Sequence, residues 1–140
     1  MDITDVRPRR CPRRRKMSKD WKYSKLLYRN KAIASKIVYC DSFIMKGTGL
    51  MFRPRNAIIN TAWLFRFRKP RKVSVTMMFV FFPIDLVFLD DRNTILELKS
   101  DLAPFSGYDS REKTSAFVEL ERGTIKKYRL KKGRRLFFRR

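Results

Sequence analysis

The side chains here that could do covalent or metal chemistry are carboxylates. Asp85 closes the run Phe81-Phe82-Pro83-Ile84-Asp85, and Asp90 and Asp91 follow closely. Brought together, such a trio could exchange protons or hold a cation. The preferred reading is simpler: Asp85 accepts hydrogen bonds at a turn or strand end, since no second group converges on it. Glu119 and Glu121 lie two apart on an expected strand, so both side chains point to one face. That spacing could bind a cation, but the expectation is that they balance neighbouring Lys and Arg. The chain has no histidine, so Ser-His-Asp and Cys-His arrangements are excluded. Its two cysteines, Cys11 and Cys40, are too few for a structural zinc site in one chain and are read as thiols in a reducing compartment. Gly47-Thr48-Gly49 begins like a dinucleotide loop, but Phe52 stands where the third glycine belongs. No catalytic residue, metal or cofactor is expected, and the chain is read as a non-enzyme.

Cations outnumber these groups heavily, and their placement is uneven. Residues 1–31 hold twelve Lys/Arg against three acids, and residues 126–140 hold nine with none. The 94 residues between them hold fourteen basic and ten acidic side chains, within a total net charge of +22. The first run contains Arg7, Arg9, Arg10, Arg13, Arg14, Arg15, Lys16, Lys19, Lys22, Lys25 and Arg29, interleaved with Trp21, Tyr23 and Tyr28. The last contains Lys126, Lys127, Arg129, Lys131, Lys132, Arg134, Arg135, Arg139 and Arg140, with Tyr128, Phe137 and Phe138. A third cluster, Arg66, Arg68, Lys69, Arg71 and Lys72, surrounds Pro70 at an expected hairpin turn. Guanidinium groups bind phosphate oxygens bidentately, and aromatic rings between them can stack on bases. These clusters are the expected RNA-binding residues.

The elements that must position them form one small domain. A pI near 10.9 and mean hydropathy of −0.46 are far from a membrane protein. The longest apolar stretch, 73–89, is broken by Ser74, Thr76, Pro83 and Asp85. The first residues lack the layout of a secretory signal. Residues 1–31 are expected as a basic extension, disordered alone over 1–17, with helical spacing of Trp21, Ser24, Lys25 and Tyr28. A core over 32–125 and a region of last strands and basic tail over 126–140 follow. Strands are expected at 33–38, 62–67, 73–81, 84–89, 95–98, 116–120, 126–130 and 136–138, and a compact connection at 42–51. Phe79, Phe81, Phe82 and Phe88 are assigned to sheet core in preference to a base-stacking platform. Many short β-branched and aromatic runs divided by Gly, Pro, Asn and Asp indicate an all-β fold, an antiparallel sandwich or small jelly-roll-like barrel.

Five blocks in order carry a family resemblance. They are Gly49-Leu50-Met51-Phe52-Arg53, Trp63-Leu64-Phe65-Arg66-Phe67, the run from Met78 through Pro83-Ile84-Asp85 to Asp90, Leu102-Ala103-Pro104-Phe105, and Val118-Glu119-Leu120-Glu121-Arg122-Gly123-Thr124. Across roughly residues 33–138 the chain resembles the family called domain of unknown function 192, found in archaea and bacteria. The resemblance implies a compact jelly-roll-type sandwich and no settled activity. Members usually carry proline where this chain has Arg122, and an acidic residue where Gly133 is followed by Arg134. This chain is read as an archaeal-type member adapted to a polyanion.

The expected function is a structural ribosomal RNA-binding protein, ribosomal or stably ribosome-associated in the cytoplasm, with ribosomal proteins as neighbours. Its arms would neutralise phosphates. Alternatives are a DNA-coating or chromatin-associated protein, a small ligand-binding or hydrolytic sandwich using Asp85, and a membrane-surface role.

Overall fold

The computed structural model describes residues 25–40 and 49–139. In chain order the strands are β1 (Lys25–Tyr28), β2 (Lys31–Ala34), β3 (Lys36–Cys40), β4 (Thr61–Arg71), β5 (Ser74–Thr76), β6 (Ile84–Leu89), β7 (Ile95–Leu102), β8 (Gly107–Asp109) and β9 (Thr114–Glu121). A short helix α1 (Thr124–Tyr128) and a last strand β10 (Phe137–Arg139) complete them.

A five-stranded sheet ordered β3-β4-β9-β6-β7 lies at the centre. Its inner strands carry apolar side chains on both faces, so each must be covered by a further layer. β6 is buried along its whole length. One face presents Trp63, Phe65, Leu86, Phe88 and Phe117, covered by the two-stranded β5-β8 sheet and its loops through Val75, Met77, Val80 and Phe82. The other presents Ala62, Leu64, Val87, Leu89, Ala116 and Val118. It is covered by the β10-β1-β2 sheet and the segment after α1, through Leu26, Tyr28, Leu130, Leu136 and Phe138. The result is an all-β sandwich-like fold without a closed barrel.

Several elements differ from the sequence reading. Lys25 and Tyr28 lie in β1, not a helix, because β1 is clamped between β10 and β2. The expected strand 33–38 divides at Ser35, where the chain passes from one sheet to the other. The β3–β4 pair is parallel, the exception in an otherwise antiparallel sheet. β4 continues through Pro70 to Arg71, so residues 66–72 make no hairpin turn there, and β5 pairs with β8. Pro70 is accommodated because the β4–β9 register shifts between Arg66 and Arg71. The expected strand at 126–130 is instead α1, bounded by left-handed backbone at Gly123 and Arg129. Residues 1–24 and 41–48, with the helical spacing involving Trp21 and Ser24, lie outside the described residues.

Candidate nucleic-acid interface

The carboxylates do not assemble. Asp85 is fully buried, and its two oxygens accept from the backbone N–H groups of Asp101 and Ile125, each at 2.9 Å. It thus ties β6 to the end of β7 and the start of α1. Asp90 is at the opposite end of β6, where one oxygen accepts from the Arg92 and Thr94 amides. Asp85 is thus a hydrogen-bonded carboxylate near a strand end, the preferred sequence reading, and Asp90 is another.

Glu119 and Glu121 depart from expectation. Neither has a Lys or Arg within 4 Å among the described residues, where Arg122–Asp101 is the one ion pair, at 2.9 Å. Glu121 accepts the Asn60 amide at 3.2 Å. Glu119 is buried between Trp63 and Leu86 on the neighbouring strands, and its Oε2 has no hydrogen-bond partner. Burial pushes its carboxyl up to about 8. They do not balance cations because the strand turns Glu119 inward, over Phe65 and Gly49. Another buried carboxylate that sequence reading missed, Glu97, accepts from the Tyr108 hydroxyl and the Arg111 amide. That bond raises the Tyr108 pKa. They border a hollow of about 280 Å³ with Lys99 and Lys132. No group of three His, Cys, Asp or Glu among the described residues stands close enough to hold a metal ion.

The cations do assemble. In the β1–β10 ladder Lys25 lies opposite Arg139, so the described parts of the first and last basic runs are neighbours. The segment leading into β10 runs along the β6–β7 turn: the Ile95 amide donates to the Arg134 carbonyl, and the Arg135 guanidinium to the Arg92 carbonyl at 2.7 Å. Phe138 then lies over Arg66, whose guanidinium carbon is 5.9 Å from the ring centroid and whose Nη2 donates to Asn93 at 2.8 Å. The start of the 66–72 cluster thereby meets the C-terminal one. At the other end of β1 Tyr28 donates its hydroxyl to the Arg129 carbonyl, and the Arg29 guanidinium lies over the Tyr28 ring. Lys127 lies over the Tyr128 ring.

Lys25, Arg29, Arg68, Lys69, Arg71, Lys72, Lys126, Lys127, Arg129, Lys131, Lys132, Arg134 and Arg139 are exposed, and none is ion-paired among the described residues. Arg135 is half-buried. Arg66 is half-buried too, its Nε has no partner, and desolvation lowers its pKa, so its guanidinium packs against the second core with only part of the side chain in solvent. Arg7, Arg9, Arg10, Arg13, Arg14, Arg15, Lys16, Lys19, Trp21, Lys22, Tyr23 and Arg140 lie outside the described residues.

The phenylalanine stripe splits. Phe82 and Phe88 are in the core as expected, whereas Phe79 and Phe81 are exposed. Phe79 has a φ of 56°, which ends the alternation that was to bury it. Phe52 and Phe105, which sequence reading did not single out for exposure, stand beside them.

Comparison with known proteins fits this architecture. The family model described as DUF192, Uncharacterized ACR, matches residues 26–138. No curated protein matches significantly. A crystal structure of a candidate transcription regulator from Sinorhizobium meliloti 1021 is similar, with a TM-score of 0.72 and 26% identity over 82% of this chain and 91% of that one. A protein of unknown function from Novosphingobium aromaticivorans has a TM-score of 0.68 and 15% identity over 81% of both chains, a likeness of fold. With most of its length matched in sequence and in fold, the chain belongs to the DUF192 family.

Proposed function

We propose that this protein is a structural RNA-binding protein, bound to ribosomal RNA as a ribosomal or stably ribosome-associated component and having no catalytic role. The observation that carries the reading is the Lys25–Arg139 pairing, which joins the described parts of the two basic runs on one layer of the sandwich. A layer of unpaired cations is costly to hold together through self-repulsion unless a polyanion neutralises it. Phosphate is the natural partner, because each neutralised phosphate releases condensed counterions. Asp85, the residue a hydrolytic reading would need, has both oxygens engaged by backbone amides.

The test is competition binding with structured RNA and duplex DNA of equal length, alongside high-salt sucrose-gradient sedimentation of a cell extract. Co-migration with ribosomal particles and preference for RNA are expected. A chain that sediments free and ignores RNA at physiological salt overturns the reading. A DNA-binding role is the second reading, favoured by the likeness to the candidate transcription regulator; preference for duplex DNA in the same assay would establish it.

A further inference from the structure

We infer that a second, chemically different site lies in the layer on the opposite side of the central sheet: an aromatic platform on which unpaired bases of single-stranded RNA stack. The inference rests on the reading of the chain as an RNA-binding protein and names a class of RNA for it.

Four phenylalanines form a continuous chain of rings across three loops. Phe52 stacks on Phe79 with centroids 4.7 Å apart and planes 20° apart. Phe79 meets Phe105 edge-on at 6.1 Å, and Phe105 meets Phe81 edge-on at 5.1 Å. The two ends of the chain are the most open, Phe52 at 67% and Phe81 at 62% exposure. Packing does not account for that exposure, since Val80 and Phe82 from the same loop fill the core beneath.

The backbone holds the rings outward. Phe52, Phe79 and Phe105 have φ of 59°, 56° and 58°, a left-handed conformation that is a genuine outlier for a bulky side chain. The loops are cross-bonded in that state: the Phe52 amide donates to the Phe79 carbonyl at 2.8 Å, and the Phe105 amide to the Met77 carbonyl at 2.9 Å. The platform is therefore assembled before any ligand arrives, which lowers the ordering cost of binding.

The chemistry favours nucleobases. All four side chains are planar aromatics, and every base has a face to stack on them. Exposed Arg55, in the same stretch as Phe52, is a cation for the connecting phosphates, while the Arg53 guanidinium is held by the Gly49 carbonyl and the Trp63 ring. The net charge of +22 draws a polyanion to the surface.

The test is fluorescence anisotropy with an oligouridine dodecamer and a blunt RNA duplex of equal length, on the full chain. Phe52→Ser/Phe81→Ser changes the two most exposed rings, and near-ultraviolet circular dichroism verifies its fold. A loss of about tenfold or more in single-strand affinity is expected, with duplex affinity unchanged. Phe52→Tyr/Phe81→Tyr should retain single-strand binding, whereas Phe52→Leu/Phe81→Leu should not. Unchanged single-strand affinity in the serine variant, with duplex binding intact, overturns the platform and leaves the RNA reading standing. Wild-type protein that binds neither RNA overturns both. Two further results overturn the platform when single-strand affinity is unaffected. One is wild-type binding to phosphatidylserine vesicles that the serine variant loses. The other is a wild-type dimer that it dissolves.

Discussion

Glu119 is the residue whose surroundings conflict most with its chemistry: a carboxyl group in an aromatic core with an unpartnered oxygen. Its pKa of about 8 lies above the ordinary 4.5. Between those values the native state keeps a proton that the unfolded chain has released. Stability therefore falls as pH rises through that window and levels off above about 8. The expected slope is about 1.4 kcal/mol per pH unit, and Glu119→Gln should remove it. Urea midpoints of both proteins at several pH values between 5 and 8 check this; parallel curves refute it. Asp85 is the opposite case, a buried carboxylate with two donors. Asp85→Asn turns one acceptor into a donor facing an amide and should cost about 1–3 kcal/mol, read in the same titration.

At the scale of elements, β10 is three residues long yet joins core and charge. Phe138 is buried in the second core, while Arg139 beside it reaches solvent opposite Lys25. Phe138→Ala should cost about 3–5 kcal/mol and loosen β1, seen as faster amide exchange at Leu26 and Tyr28. Exchange confined to β10 would show that β1 holds without it. Arg66 belongs to this element pair, because Phe138 and Asn93 enclose it. Arg66→Leu is therefore expected to leave RNA affinity within about twofold, whereas Arg68→Glu should weaken it several-fold, since a lost charge matters only where phosphate can reach it. Binding titrations of both variants decide the point. α1 shows why short elements escape sequence reading. Its five residues have no nucleus of their own, and what makes them helical is Asp85 accepting the Ile125 amide from forty residues away.

For the whole molecule, the proposed binding mode predicts a steep salt dependence. Neutralising about ten phosphates gives a slope of log K against log salt near −9 on duplex and shallower on single strands. Deleting residues 1–24 removes nine Lys/Arg and three acids but spares β1. It should flatten that slope and weaken RNA binding while thermal unfolding stays cooperative. An unchanged slope would mean the first segment touches no phosphate. Deletion through residue 31 is a poorer experiment, because Leu26 and Tyr28 belong to the second core.

Sequence alone determined the all-β class, the family, the excess of cations and the inner strands. The 84–89 strand was legible to the residue because Pro83 and the Asp90 turn bound a short run that is apolar except at Asp85. Tertiary structure alone decided that Lys25 meets Arg139, that 124–128 is helical, that Glu119 points inward and that Phe79 and Phe81 point out. Each of those depends on a partner distant in the chain, Arg139 for Lys25 and Asp85 for Ile125 among them. Local propensity and side-chain alternation hold no information about such partners. They speak of a residue's neighbours along the chain, and these features were settled by its neighbours across it.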